Sequence, residues 1–514
     1  MGLYYSDIQF EFEFSTGVWT DVSADVVGVV ESEMGIDGNG VLDRVASPGE
    51  MKLMLLNTGN KYTPGHASCM SGFQVGVHCR LVLDYQTKTR TRYYGTVVAD
   101  GIKVENQGWR PSYTKVTVKD FMEQAARHEM DLPAFAQNKT IEEVVPLITA
   151  NMPVGPLATS LGSGQDTFPT VFDTTTAKTT ALSEMAKVAL SELGYIYAKQ
   201  SAASDEVLAV EGRYTRATKT LAQVGVWGGA SFSDTDAIFD NNMRNINLSH
   251  SDNYYNDIIL TSFPRRVDAT AVVLFNLEEP VYVAAGATIN ITGRYIDPTQ
   301  EAESVAGINM IDPVATTDYL MNAADDGSGA NLTADLTLTA TYGTNGVGYE
   351  AENTGATGGY IFFLQARGYG VYTYRGVEYR VSDAVNMAAD GRKTLSIQLK
   401  YQNNPLVAED FAGVLLDLCN QKITEVESVT FVANRSEFLL NAFMDLQVGD
   451  KIRLIADRFT WDAEHFIHKI KFKIMPGGLV EYTLGLSRAY VSESYWLIGE
   501  VGYSEIGETT WLGY

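Results

Sequence analysis

The chain has 514 residues, of which 45% are hydrophobic and 20% charged, values typical of a globular protein of three or four domains. The net charge of −25 argues against a tight binder of DNA or RNA, because such a surface repels phosphates. Three cysteines, Cys69, Cys79 and Cys419, are too few for a disulfide framework and indicate synthesis in a reducing cytoplasm. Without a signal-peptide pattern or an apolar run of membrane-spanning length, the chain is expected to be soluble.

Residues 1–130 are predicted to form a first, mostly β domain. Apolar side chains alternate with polar ones in two stretches, Ile8, Phe10, Phe12 and Phe14, then Met51, Leu53 and Leu55. This alternation predicts strands that bury one face. Asp120 follows the last strand and, with Glu123 three residues on, is predicted to begin a short helix.

Residues 131–233 are predicted to form a small α+β domain. Thr140 and Glu143 have the spacing of a capping box, and Pro146 is expected to limit or kink the helix that follows. A second helix is predicted over the apolar stripe from Leu182 to Leu193, with Gly194 at its C-terminal end. Strands are predicted at 195–197 and 208–210.

The remaining chain divides by composition. Residues 234–314 are predicted to be β structure that completes the main body, and 315–385 a small β-sandwich insertion rich in Thr, Gly, Ala and Asn. In that insertion, separate short strands are predicted at 360–364 and 371–374. Residues 386–494 are predicted to form a second β domain, which includes one amphipathic helix around Phe411 and Leu415. The segment 495–514 alternates aromatic residues with glycine and is expected to dock on another surface.

Two segments share the frame V-G-x-x-x-R-L, Val75–Leu81 and Val448–Leu454. Each precedes strand-like residues, then a Gly-rich turn, then another strand. This repetition predicts a duplicated β module with one copy at each end of the chain.

No catalytic arrangement stands out. His66, Cys69, His78 and Cys79 are the nearest approach to a metal set, but the adjacent His78 and Cys79 would point to opposite faces of a strand. His465 and His468 have a helical spacing inside a strand-like segment. The acidic groups at 234–242 and 325–326 lack the glycine and glutamate of an EF-hand, so both are interpreted as polar turns. We therefore expect no enzyme, no cofactor and no metal, although carboxylates of a glycoside hydrolase are not excluded.

The chain resembles the tail-tip and baseplate hub proteins (minor tail proteins) of tailed bacteriophages. The resemblance rests on Trp19–Ser23, Ala46–Gly49, Leu56–Pro64, Gly76 with Arg80-Leu81, the helix before Gly194–Tyr197, and the end segments 495–499 and 507–510. It implies a mainly β protein with two tube-like β-barrel domains at the two ends of the chain. It also implies that three chains place six barrels in a ring.

From this resemblance we expect a structural virion protein, a trimeric hub that closes the tail tube. Its expected partners are the tail tube or distal tail ring protein, the tape-measure protein, and tail fibres or receptor-binding proteins, while genomic DNA passes through a negatively charged lumen. It would belong to the virion and assemble in the host cytoplasm. The alternatives are a receptor-binding or fibre-attachment protein, with the insertion as adhesin, or a cell-wall or polysaccharide hydrolase. A distal tail ring would carry one repeat per chain.

Six residues are assembly candidates. Arg80 and Arg453 occupy the arginine position of the two frames and are expected to pair with carboxylates at barrel or ring interfaces. Tyr495, Trp496, Trp511 and Tyr514 are the aromatic residues expected to dock the tail segment.

Overall fold

A computed structural model of the chain describes residues 3–38, 40–105, 111–133, 136–173, 179–250, 254–299 and 301–489. The first part is β structure, with strands β1 (Asp7–Ser15), β2 (Val18–Asp21), β3 (Val26–Gly35), β4 (Ser47–Leu56), β5 (His78–Tyr85), β6 (Lys88–Glu105) and β7 (Tyr113–Lys119). A mixed region follows, with helices α1 (Phe121–Arg127), α2 (Ile141–Asn151), α3 (Ala181–Glu192) and α4 (Arg213–Ala217) and strands β8 (Thr159–Leu161), β9 (Tyr195–Lys199), β10 (Val207–Glu211), β11 (Gln223–Trp227) and β12 (Phe232–Asp236).

The second half is again mostly β structure. Its strands before the last helices are β13 (Ile238–Asp240), β14 (Asn245–His250), β15 (Asp257–Ser262), β16 (Arg265–Val267), β17 (Val272–Asn276), β18 (Val281–Val283), β19 (Thr288–Arg294), β20 (Ser304–Ile311), β21 (Tyr319–Asn322), β22 (Leu336–Tyr342), β23 (Gly346–Asn353), β24 (Gly359–Thr373) and β25 (Val377–Ser382). The last elements of the described residues are α5 (Ala384–Asp390), β26 (Thr394–Leu399), α6 (Pro405–Cys419), β27 (Thr424–Val432), α7 (Glu437–Asp445), β28 (Lys451–Ala456), β29 (Trp461–Met475) and β30 (Leu479–Arg488).

Strands from both ends of the chain form one 13-stranded sheet, the main sheet. Its order is β14-β27-β30-β29-β3-β4-β7-β6-β5-β1-β2, with β28 beside β29 and β13 beside β28. One face of the main sheet packs on a continuous apolar core that runs from Phe10 to Leu486 and takes in α1, α2, α3 and α7. The mainly β fold is therefore confirmed. The two-barrel layout is not, because none of the sheets formed by the described strands is closed.

The region between β14 and β27 has cores of its own. Strand β24 pairs with β16, β17, β18, β20 and β21, and β19, β23 and β22 form a second sheet. Apolar side chains between them, from Leu274 to Tyr372, make a separate cluster. Helix α6 packs on the sheet β25-β15-β26 around Phe411 and Leu415. Within this region, residues 254–264 and 374–423 connect the sheets around β24 to the main sheet. The bounds predicted for the separate domains remain predictions.

Local predictions were right for most elements and wrong in three details. The Thr140–Glu143 capping box is present, and Asp120 caps α1 by accepting the Met122 N–H. Helix α2 continues five residues past Pro146, and Leu193 rather than Gly194 takes the left-handed conformation after α3, with φ 56°. The strands predicted at 360–364 and 371–374 are one strand, β24, because the Gly-containing stretch between them stays extended.

Candidate assembly site

The two V-G-x-x-x-R-L segments have the same backbone geometry. Gly76 and Gly449 have φ of 87° and 88°, left-handed values that favour glycine. The Gly76 N–H donates to Val97 O at 2.8 Å, and the Gly449 N–H donates to Ile467 O at 2.7 Å. In each case the acceptor residue donates its own N–H back to the residue after the glycine, at 2.9 Å. Both glycines therefore start a strand, β5 or β28, against the middle of a long partner strand, β6 or β29.

The equivalence extends beyond the motif to ten strands. We define the first repeat as β3, β4, β5, β6 and β7, which lie in the order β3-β4-β7-β6-β5. The second repeat is β14, β27, β28, β29 and β30, in the order β14-β27-β30-β29-β28. Corresponding pairs are antiparallel in both repeats. The flanking strands differ, since β1 runs antiparallel to β5 while β13 runs parallel to β28. The predicted duplication is thus present as a shared strand order.

The two repeats are joined by pairing of β29 with β3, which we call the β29–β3 junction. It is antiparallel and runs from Lys469 opposite Gly35 to Ile474 opposite Val30. Strand β29 can accept β3 because β28 pairs only with its first six residues. On the core side, Phe472 and Ile470 of β29 are 1% and 0% exposed. Gly35 permits the close approach, because a Cβ there would collide with the backbone of His468.

Charged side chains occupy the opposite side of the main sheet, which we call the polar face. Its residues at the junction are Glu31, Glu33, Lys469, Lys471 and Lys473. Lys471 lies 3.0 Å from Glu33 and Lys473 lies 2.7 Å from Glu31, while Lys469 is ion-paired with Glu33 and Asp37. These contacts lower the pKa of Glu33 against the opposing effect of its partial burial, and they keep the carboxylate charged.

The same pairing of opposite charges continues across neighbouring strands of the polar face. Lys115 lies 2.6 Å from Glu105, and Lys52 and Arg244 are ion-paired with Glu50 and Glu481. Exposed pairs of this kind add little to stability. Their main effect is on the local charge. The positive charges of the lysines and the negative charges of the glutamates largely cancel on this face, although the protein as a whole is strongly acidic.

Of the predicted assembly residues, the two arginines bind carboxylates of their own chain. Arg80 donates to Glu11 and to Asp205, both at 2.7 Å, and its guanidinium lies 4.2 Å from the centre of the Trp19 ring. Arg453 donates through two nitrogens to Asp462, at 2.7 and 2.6 Å, on an exposed hairpin. The structure does not bring them together. Tyr495, Trp496, Trp511 and Tyr514 lie outside the described residues.

The residues examined for metal chemistry do not converge. The His78 ring stacks on Tyr94, while the Cys79 thiol is buried with its pKa raised by desolvation, which disfavours the thiolate that metals require. His66 instead contacts the backbone N–H of Ser68. Across the described ranges, no group of three or more His, Cys, Asp or Glu side chains is placed to hold a metal ion.

Two buried histidines and two buried carboxyls have shifted pKa values and structural contacts. Burial lowers the pKa of His465 and of His468, both in β29, to about 4, so both are neutral at pH 7. Burial raises the pKa of Asp120 and of Glu206 to about 7. These carboxyls accept the first N–H groups of α1, from Met122 and Phe121. They serve as helix caps.

Within the described ranges, every helix is too short or too polar to span a lipid bilayer.

The β29–β3 junction was not predicted from the sequence. Its signal was present in two short alternating stretches, Lys469, Lys471 and Lys473 in β29 and Glu31 and Glu33 in β3. Each is separately a strand with one charged face. That the two stretches face each other, with Lys471 opposite Glu33 at a separation of 438 positions in the chain, follows only from the fold.

No protein-family model and no curated protein matches the chain. Similar solved structures include a tail protein from Neisseria meningitidis, with a TM-score of 0.48, 9% identity, and coverage of 94% of this chain and 96% of that one. The 43 kDa tail protein of prophage MuSo2 from Shewanella oneidensis has a TM-score of 0.48 and 10% identity, over 94% of this chain and 99% of that one. Prophage tail protein gp18 from Listeria monocytogenes has a TM-score of 0.41 and 8% identity, over 95% and 96%.

The predicted resemblance to tail proteins is therefore found again among solved structures. All these TM-scores lie below 0.5.

Proposed function

We propose that this protein is a non-enzymatic structural hub of a phage tail tip or baseplate. Three chains close into a ring of six repeats at the end of the tail tube, and this ring joins a six-fold tube to a three-fold tip. The neighbours of the ring are the tube or distal tail ring protein, the tape-measure protein and the fibres or receptor-binding proteins. The protein is carried in the virion after assembly in the host cytoplasm.

The observation that carries this proposal is the duplicated strand order with its head-to-tail junction. The second repeat joins the first through different surfaces, β29 on one side and β3 on the other. A step of this heterologous kind, repeated between chains, generates a closed ring when the rotation closes and a filament when it does not. Two repeats per chain turn a ring of three chains into six similar units, whereas a distal tail ring reaches six with one repeat per chain.

Native mass spectrometry of the purified protein tests the ring. We expect a species of three times the 56.3 kDa chain mass. A stable single chain, together with tails that lack the protein at their tip in cryo-EM maps, would contradict the hub assignment.

We propose that the polar face lines the channel. The sequence predicts a negatively charged lumen, but the ion pairs of the polar face favour a lumen whose charges are nearly balanced. Lysines held by carboxylates attract phosphates weakly, because binding DNA requires the ion pair to break. DNA can therefore slide past the polar face without adhering.

A charge variant tests the channel. The double substitution Glu31→Gln and Glu33→Gln releases Lys471 and Lys473 from their partners, and we expect stronger DNA retention with a steeper dependence on salt. The control is Glu278→Gln with Glu279→Gln, which changes the net charge equally on exposed residues of the region between β14 and β27. Equal DNA affinity of the two double variants would contradict a channel lined by the polar face.

A second candidate function, attachment of a receptor or fibre, concerns the sheets between Arg265 and Thr373. This region has its own core and is fixed to the body by a buried ion pair, in which Arg265 donates to both Asp173 oxygens at 3.1 and 3.2 Å. Its two ends are adjacent, since the Tyr374 N–H donates to Pro264 O at 3.0 Å. A rigidly held, separately folded unit of this kind suits an outward-facing attachment domain.

The adjacency of Pro264 and Tyr374 allows a clean deletion. Replacing residues 265–373 by a short Gly-Ser linker should leave the ring intact and reduce adsorption of the phage to its host. Adsorption at the wild-type rate in tails that carry the deletion would contradict a role of this region in attachment.

A further inference from the structure

We propose that neighbouring chains join by pairing β14 of one chain with the outer edge of β6 of the next, with Leu248 opposite Val104. This inference rests on the proposed ring and specifies which strands and which register hold it together. The β29–β3 junction inside each chain is the template, because the two repeats have the same strand order.

The outer edge of β6 corresponds to the part of β29 that binds β3. Strand β5 pairs with β6 only as far as His78 opposite Thr96, as β28 pairs with β29 only as far as Lys451 opposite Phe466. Past that point both long strands continue. Ile102 pairs with Val116 of β7 as Ile470 pairs with Leu484 of β30, so Val104 corresponds to Phe472.

Among the described strands, nothing pairs with the edge of β6 beyond Thr96 except the two Val97 bonds to Gly76 and Val77. An exposed row of unpaired N–H and C=O groups is a template for another strand.

Strand β14 corresponds in the same way to β3. It pairs with β27 on one side, and no described strand pairs with its other side, so it forms one end of the main sheet. Ile246 and Leu248 lie opposite Val429 and Val426, which places their side chains on the core side of the sheet. Ser32 of β3 lies opposite Met51 in the corresponding position. Leu248 therefore corresponds to Ser32. Because Ser32 pairs with Phe472, and Val104 corresponds to Phe472, Leu248 is expected to pair with Val104.

Burial supports this register. At the β29–β3 junction, Phe472 and Ser32 are 1% and 5% exposed. Their counterparts Val104 and Leu248 are 40% and 39% exposed, although both point toward the core side. Pairing β6 with β14 of the next chain would cover both apolar side chains at once, which is the hydrophobic contribution that the single chain leaves unused.

The polar side chains of the two edges are compatible. In this register Lys103 faces Ser249 and Glu105 faces Asn247, where the β29–β3 junction has Lys471 facing Glu33 and Lys473 facing Glu31. No like charges meet. Because the junction between chains lacks the ion pairs of the junction within the chain, we expect its strength to depend less on salt.

Disulfide cross-linking tests the register. Directly opposite residues of antiparallel strands have Cα atoms about 4.5–5.5 Å apart, within the range of a disulfide. In the double variant Val104→Cys and Leu248→Cys, mild oxidation should link chains into covalent trimers on a non-reducing gel. The control Lys103→Cys with Leu248→Cys places the thiols on opposite faces of the sheet, so the same oxidation should leave single chains.

The outcomes separate this inference from the proposed function. Covalent trimers with the first pair alone support it. A native trimer that does not cross-link through the first pair, or that links equally through the control, overturns the register while the hub proposal stands. A wild-type protein that is a single chain in native mass spectra and in tails overturns both.

Discussion

The β29–β3 junction and the two open edges of β6 and β14 are built from corresponding residues, yet one is buried and the others are exposed. Ile470 and Phe472 are covered by Met34 and Ser32, whereas Ile102 and Val104 at the corresponding positions lack such a cover. In the proposed ring, this difference means that a single chain is an incomplete assembly. Each chain has two open strand edges, those of β6 and β14, and each edge is available to pair with a neighbouring chain.

The largest expected effect is loss of the ring when a charge is placed on an open edge. Val104→Asp should abolish the trimer, because pairing would bury an unpartnered carboxylate against Leu248. The fold of the single chain should be unaffected, since the side chain is exposed there. Analytical ultracentrifugation measures the change, with Val314→Asp, which is 52% exposed in the region between β14 and β27, as the control. A Val104→Asp trimer as stable as wild type contradicts the use of this edge.

The next largest effect concerns folding, at the junction that is already closed. Phe472→Ala should lower the free energy of unfolding by about 3–5 kcal/mol. The substitution removes a buried ring whose centre lies 5.3 Å from the centre of the Phe443 ring. Val104→Ala at the corresponding open position should cost less than about 0.5 kcal/mol. Urea unfolding of both variants, made in a Leu248→Asp background that is expected to keep the chains separate, gives the comparison. Equal losses would mean that the two positions do not correspond.

The motif arginines should differ although they share a sequence position. Arg80→Ala should lower stability by about 1–3 kcal/mol, because it leaves Glu11 and Asp205 without their shared cation. Arg453→Ala should leave the melting temperature unchanged, because its partner Asp462 is exposed on the same hairpin. We expect both variants to weaken ring assembly, which native mass spectrometry measures. Unchanged assembly in both variants would show that neither arginine contributes to the interface.

The last expected effect is on the pH dependence of stability. Burial, and then the neighbouring charge of Asp120, raises the pKa of Glu206 from 4.5 to about 7. The folded chain therefore holds this proton where the unfolded chain has lost it, so the contribution is complete below pH 4.5 and disappears as the pH rises through about 7.

Glu206→Gln keeps an acceptor for the Phe121 N–H and cannot ionise. Between pH 4.5 and 7 its stability should fall less steeply with pH, by up to about 1.4 kcal/mol per pH unit. Urea titrations at several pH values measure the slope, and identical slopes in wild type and variant would contradict the shifted pKa.

The repeat could be found from the sequence because it left a local trace. The backbone at positions 76 and 449 is left-handed, which favours glycine. A glycine therefore marks the start of the strand in each copy. The alternation of Ile8, Phe10 and Phe12 likewise marks a half-buried strand without any tertiary information.

The junctions could not be predicted in the same way. Strand β14 pairs with β27, where Asn245 lies opposite Thr430 with a whole folded region between them. Nothing in the local pattern selects one strand among many as the partner. The continuous strand β24 could not be predicted for a related reason, because glycines such as Gly368 and Gly370 favour turns when only the local sequence is considered. They are extended and lie beneath the side chains of Met310 and Tyr372.

The most direct test of the central claim is a cryo-EM map of the assembled tail tip at a resolution that separates strands. The account predicts three copies of this chain, six repeats of the strand order β3-β4-β7-β6-β5 around the axis, and continuous pairing of β6 with β14 of the next chain. A ring in which β6 and β14 stay unpaired, or one with six copies of the chain, would contradict it.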